Sequence, residues 1–299
     1  MKKNQAIAGF SLAALLVTFT FYACTKSQSA SMPATASGQQ SVSMYLTDGP
    51  SDFFAHVYLD IRSVSVLVDT CASDTTAPMD EEDHDHHNGW GNTPSADTCN
   101  VWQDLGIQSG VYDVLTLRNG VDSLVAQGTI KSGVIKFIKI SLGDSNSVVL
   151  NDSTVVPLNF HGWFDSTIYI PVGRDFMDEF APGHSRCWMD FDIGHSIIPF
   201  GNGFWLHPFF RCFTNNTTGG IEGVVLPEDA RTVITAYSST DTATALPWRD
   251  DGHFKIRGLQ QGTYSLDIKS TNGYVDTTIN NISVMTGSSV NLGKITLHK

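Results

Sequence analysis

The sequence is short of positive charge: 18 Lys and Arg stand against 30 Asp and Glu, a formal net charge of −12. An extended basic surface is thereby excluded, and nucleic acid is not an expected partner. Charged residues of both signs make up only 16% of the chain and hydrophobic ones 41%, which excludes wholesale disorder. Helical periodicity is nearly absent, and only Val111–Leu117 suggests a turn or two of helix. Catalytic signatures are missing as well. There is no Gly-x-Ser-x-Gly elbow, no His-Glu-x-x-His, no phosphate-binding loop and no dinucleotide fingerprint, so the expectation is a protein that is not an enzyme. Cysteine is scarce, with five in the chain.

What is present begins with Met1-Lys2-Lys3, a short basic start, followed by an uncharged run from Ala6 to Ala23 and then Cys24. That pattern reads as an export signal. Phe21-Tyr22-Ala23-Cys24 resembles a bacterial lipobox, which implies cleavage after residue 23 and acylation of Cys24. Residues 1–23 are then a lipoprotein signal peptide, and residues 24–40 the lipidated cysteine and a small, polar, flexible tether. The membrane becomes a partner through the lipid anchor. The expected location is the cell envelope, as an outer-membrane lipoprotein facing the periplasm or the cell surface.

From Ser41 onward the hydrophobic period is two. Val57, Leu59 and Ile61 alternate with polar residues, then Val64, Val66 and Val68 continue in the opposite phase, as one inserted residue near Arg62-Ser63 would cause. Val134–Leu142 is apolar on both faces and predicts a central, doubly covered strand. Turns are marked at Asp48-Gly49-Pro50, Asn119-Gly120 and Gly201-Asn202-Gly203. The expected fold is all-β, with two antiparallel β-sandwich domains over residues 41–216 and 218–299, separated by the polar run around Asn215–Gly220.

Two resemblances attach to these halves. Asp250-Asp251-Gly252-His253-Phe254, Gly262-Thr263-Tyr264 and Leu292–Leu297 resemble the carboxypeptidase regulatory-like domain over residues 218–299, which implies a transthyretin-like, carbohydrate-binding-like fold and no peptidase activity. Residues 41–213 resemble the domain of unknown function 4382 family of bacterial envelope lipoproteins. The segments that carry this are Tyr45–Pro50, Val57–Val68, Tyr112–Gly120, Ile138–Asp144, Met189–Ile198 and Pro208–Arg211. The resemblance implies an envelope location and a β-sandwich, and it brings no activity with it.

Four cysteines besides Cys24 suit two disulfides in an oxidising compartment, and the preferred pairs are Cys71 with Cys99 and Cys187 with Cys212. Between the first two lies an acidic, histidine-rich run in which Asp83, His84, Asp85, His86 and His87 are candidate ligands for a divalent metal. No other cofactor is indicated. Trp163, Trp205 and Trp248 stand beside loop residues, where a flat ring can stack on a sugar, whereas Trp102 and Trp188 are expected in the core. Asp190 and Asp192 share a strand face opposite Met189, Phe191 and Ile193, which marks that face as wet. The functional expectation is a non-catalytic envelope lipoprotein that binds or adheres to a glycan or an envelope protein. Periplasmic metal binding by the Asp80–His87 run is the rival, and a hydrolase with an unrecognised site a second one.

Overall fold

The computed structural model describes residues 37–48, 51–71, 99–160, 166–172, 177–181 and 183–299. Within them the chain is all-β, and Ala34–Lys299 forms a compact unit built on two hydrophobic clusters. Among the described residues no helix is long and apolar enough to cross a membrane.

The strand Phe54–Asp69 organises a nine-stranded sheet, pairing with Val134–Leu142, Ser147–Leu150, Asn100–Asp104 and Gly110–Asp113. Its alternation works as the sequence pattern requires. Val57, Leu59, Ile61, Val64, Val66 and Val68 are all buried, and the phase change falls where the register shifts between Ile61 and Ser63. Arg62 is the extra residue; it turns outward and pairs with Asp60 at 2.6 Å. Gly110–Asp113 is a strand, and only Val114–Thr116 coils, as a 3-10 turn, where helix was expected from Val111.

Val134–Leu142 lies second from the sheet edge, beside Thr167–Pro171, and its outer face is only partly covered. Ile138, Ile140 and Leu142 enter the core, and a second register shift, which leaves Lys136 unpaired, turns Ile135 the same way. The reading of two apolar faces missed this bulge. On the outer face Trp102 is half-buried, with Tyr169 at 5.9 Å and the Lys139 ammonium 4.8 Å from its ring. Trp102 therefore covers a flank of the sheet and does not enter the core.

A six-stranded sheet packs against the first. Gln39–Asp48 sits between Ser123–Lys131, antiparallel, and His184–Phe191, parallel, and Phe210–Phe213 pairs with the latter. Val42, Met44, Leu46, Cys187, Met189 and Phe191 point inward to meet the strand Phe54–Asp69. The C-terminal cluster lies between a three-stranded sheet, with Gly219–Leu226 flanked by His253–Leu259 and Ser289–Thr296, and a four-stranded sheet that includes Thr232–Tyr237 and Gly262–Ser270. Antiparallel pairing dominates, though Gly219–Leu226 and Ser289–Thr296 also run parallel.

Cys71 and Cys99 are bonded across the end of the paired strands Phe54–Asp69 and Asn100–Asp104. With a sequence separation of 28 residues, loop closure stabilises by about 3.5 kcal/mol in the chain-entropy account. The second expected disulfide is not formed: Cys187 and Cys212 are buried free thiols. Met189, not Cys187, stands opposite Cys212, so the two cysteines are diagonal neighbours on one face. Diagonal Cβ atoms lie farther apart than a disulfide spans. Contact with Cys212, and then burial, pushes the Cys187 thiol well above its ordinary range.

Candidate functional site

The outward face of the six-stranded sheet presents Tyr45, Thr47, Trp188, Asp190, Arg211 and Phe213, which alternate with the core residues. The pattern marked this as the wet face. In the structure it is covered by the C-terminal strands, so Asp190 is only 8% exposed. Strand parity reports which residues share a face and not what lies against it.

Arg257 is the main link across this seam. Its Nη1 donates to Asp122 at 3.1 Å, its Nη2 donates to Thr47 Oγ1 at 3.0 Å, and the guanidinium stands 5.7 Å from the centre of the Phe213 ring. Gly258 lets the strands approach, since its φ is +75° and a Cβ there would stand 3.2 Å from the same ring. Trp188 stacks on Tyr45 at 5.6 Å and on Phe213 at 6.1 Å, and its Nε1 donates to Asp122 at 2.8 Å. It is buried as expected, but in the seam. Asn119, in a left-handed turn, closes the other end. Its amide nitrogen donates to the Leu246 carbonyl at 2.9 Å, and its Oδ1 accepts from Lys255 N at 3.2 Å.

Two of the clefts along the seam hold candidate groups. The first, of about 420 Å³, is lined by Asp190, Asp192, His195, Arg211, Lys255 and Arg257, among others. Burial pushes the Asp190 carboxyl above its ordinary range, and Arg211, which donates to it at 2.9 Å, pulls it back only in part. Asp192 caps the short helix Ile193–Ser196 by accepting from His195 N at 3.1 Å, and its second oxygen meets His195 Nδ1 at 2.8 Å. Among the described residues no hydroxyl or thiol is seen to hydrogen-bond that imidazole. Within the cleft Asp190 and Arg211 form a matched ion pair.

The second cleft, of about 600 Å³, contains Trp248 together with Arg118, Asn151, Asp52, Glu228 and Arg231. Trp248 is placed by a tight turn. Its N–H donates to the His253 carbonyl at 2.9 Å, and its carbonyl accepts from Gly252 N at 2.9 Å. Gly252 is required there, because its φ is +69° and a Cβ would stand 2.2 Å from the Val225 carbonyl oxygen. The Arg118 guanidinium lies 4.4 Å from the centre of the half-buried indole and fixes its orientation.

A family model described as a domain of unknown function, DUF4382, matches residues 39–208. The chain belongs to this family. A comparison with curated proteins returns no match. Among solved structures, the minor pilin GBS52 of Streptococcus agalactiae is 12% identical, with 86% of this chain and 95% of that chain covered and a TM-score of 0.22. The shaft pilin SpaA of Lactobacillus rhamnosus GG is 10% identical, with 87% and 98% covered and a TM-score of 0.21. The TIE protein of Bacillus anthracis is 9% identical at a TM-score of 0.22; 88% of this chain is covered, and it spans 34% of that protein's length.

In this DUF4382 chain the site residues expected from sequence scatter. Trp248 lines the larger cleft, and Trp205 stands apart on the hairpin Ile197–Leu206. Cys24, Trp163 and the metal candidates Asp83, His84, Asp85, His86 and His87 lie outside the described residues. Among the described residues no group of three or more His, Cys, Asp or Glu side chains is placed to hold a metal ion. The sequence pattern marks Asn119 only as a turn residue and does not single out Arg118, Arg211 or Arg257. A signal was nevertheless present for three of them, because Arg118, Asn119 and Arg211 fall in segments that carry the family resemblance.

Proposed function

We propose that this chain is a non-catalytic binding or adhesion module of the cell envelope, tethered to the outer membrane through acylated Cys24, and that it recognises carbohydrate in the cleft containing Trp248. In this reading residues 41–216 and 218–299 act as two sandwich domains whose seam creates the cleft. The observation that carries the proposal is the Trp248 indole, held by a tight turn in the wall of a 600 Å³ cleft with Arg118 at 4.4 Å. Sugar recognition calls for a fixed aromatic ring and several converging hydrogen-bonding groups. Asn151, Asp52, Glu228 and Arg231 supply such groups in the same cleft.

The experiment is a glycan array probed with the chain from Thr25 onward, followed by titration of the best oligosaccharide. Trp248→Ala is expected to weaken binding by roughly tenfold or more, and Trp205→Ala to leave it unchanged. Absence of glycan binding by the unaltered chain, or equal binding by Trp248→Ala, refutes the reading.

A further inference from the structure

The hairpin formed by Ile197–Phe200 and Gly203–Leu206 ends the nine-stranded sheet, and its inner strand pairs in parallel with Val155–Phe160. Alternation sorts the side chains of these three strands. Ile197, Leu158 and Leu206 join the core, whereas Ile198, Phe200, Trp205 and Val155 share the opposite face. On that face Ile198 is 42% exposed, Phe200 62% and Val155 65%. Phe200 rests 5.3 Å from Trp205, and at the other end of the segment Phe209 lies exposed beside His195.

Three observations select the occupant of this apolar face. No Asp, Glu, Lys or Arg occurs from His195 through Phe210 or in Val155–Phe160, in a chain whose net charge is −12. Approach to an apolar phase therefore strips water from no charged group there. Pro199 takes a donor out of the edge strand, which opposes strand addition by a second copy. The polar side chains of these strands and their turn reduce to Asn159 and Asn202, too few to satisfy the hydroxyls of a sugar. Aliphatic and phenyl groups beside an indole, without charge, match the boundary between headgroups and acyl chains of a bilayer.

We propose that this face docks shallowly on a phospholipid bilayer, with Phe200, Ile198 and Val155 entering the acyl boundary and the half-buried Trp205 ring backing Phe200. Such docking is independent of the carbohydrate reading and would fix how the Trp248 cleft is presented.

Because Ala34–Lys299 is a compact unit with its own cores, the chain from Thr25 onward is suited to the test, free of acylation and of the first apolar run. It is mixed with vesicles of equimolar phosphatidylethanolamine and phosphatidylglycerol and floated on a density gradient. The chain is expected to rise with the vesicles, and Phe200→Asp to lower its partition coefficient by about tenfold or more. Val155→Asp, at another exposed position, is expected to do the same and serves if Phe200→Asp fails to fold. No flotation of the unaltered chain, or flotation undiminished in folded variants, overturns the proposal. A concentration-dependent dimer abolished by the same substitutions would give the face to a second copy and overturn it equally.

Discussion

Removing the Arg257 side chain tests whether the seam is a structural joint or a loose contact. Arg257→Ala deletes a charged hydrogen bond to Asp122 at 3.1 Å, another hydrogen bond to Thr47 at 3.0 Å, and the packing over Phe213. The Arg257 side chain is 13% exposed and that of Asp122 28%, which places the pair between a surface ion pair, worth up to about 1 kcal/mol, and a buried one, whose disruption costs about 3–5. Asp122 retains the Trp188 indole donor at 2.8 Å, so its charge is not left bare. The expected loss is therefore about 2–3 kcal/mol. Urea unfolding of the chain from Thr25 onward would measure it, with Asp122→Ala and the double variant completing a cycle. The coupling between the two residues should be about 1–2 kcal/mol. A loss below about 0.5 kcal/mol, or strictly additive single effects, would refute the assignment of Arg257 as the link between the two halves.

Asp190 offers a pH test of the same seam. Burial raises its carboxyl above the ordinary 3.8, so across that window the native chain holds a proton that the unfolded chain has lost. Stability relative to Asp190→Asn should fall as the pH rises above 3.8 and recover on acidification; a difference that does not vary with pH contradicts this. In the C-terminal cluster, burial and the hydrogen bond to Asp241 push Tyr264 up to about 12. Absorbance titration should show a tyrosine ionising near that value and vanishing in Tyr264→Phe, with stability declining from pH 10.0 towards about 12 as the unfolded state loses its proton first. Thiol titration of the denatured, unreduced chain from Thr25 onward should find Cys187 and Cys212 free and Cys71 and Cys99 unreactive. A chain without reactive thiols would show that the diagonal pair does bond.

Much of the framework was legible because period-two alternation is a strong local signal. The phase change at Arg62-Ser63 could be read from the spacing of valines and appears as the register shift between Ile61 and Ser63. The bulge at Lys136 could not, since Ile135, Phe137 and Ile138 are all apolar and leave no break in the pattern to mark it. Asp190 shows a different limit: its parity was read correctly, but the strands that cover it come from far along the chain. The same holds for Arg257, whose partner Thr47 is 210 residues away and which sits in an ordinary alternating strand. Trp248 was legible as a ring next to turn residues, yet only the fold brings Arg118 against it. The pairing of Cys187 with Cys212 follows from cysteine number, compartment and their places on the two sides of the Gly201-Asn202-Gly203 reversal, and a diagonal offset in strand register is invisible at that level.

Each half of the molecule is closed by pairing its first strand with one near its end. Gln39–Asp48 lies beside His184–Phe191, and Gly219–Leu226 beside Ser289–Thr296. A chain that emerges amino-terminus first therefore carries Val42, Met44 and Leu46 without their parallel neighbour until nearly half of its length has followed. Contacts of such long sequence separation form slowly, and in the interval the waiting strands expose alternating apolar edges that invite pairing with other chains. Gly219–Leu226 must likewise wait for Ser289–Thr296. The pairing that closes each half is thus complete only when its late strand is in place, and a chain that stops short of Ser289 keeps the hydrophobic strand Gly219–Leu226 but loses the partner that seals it.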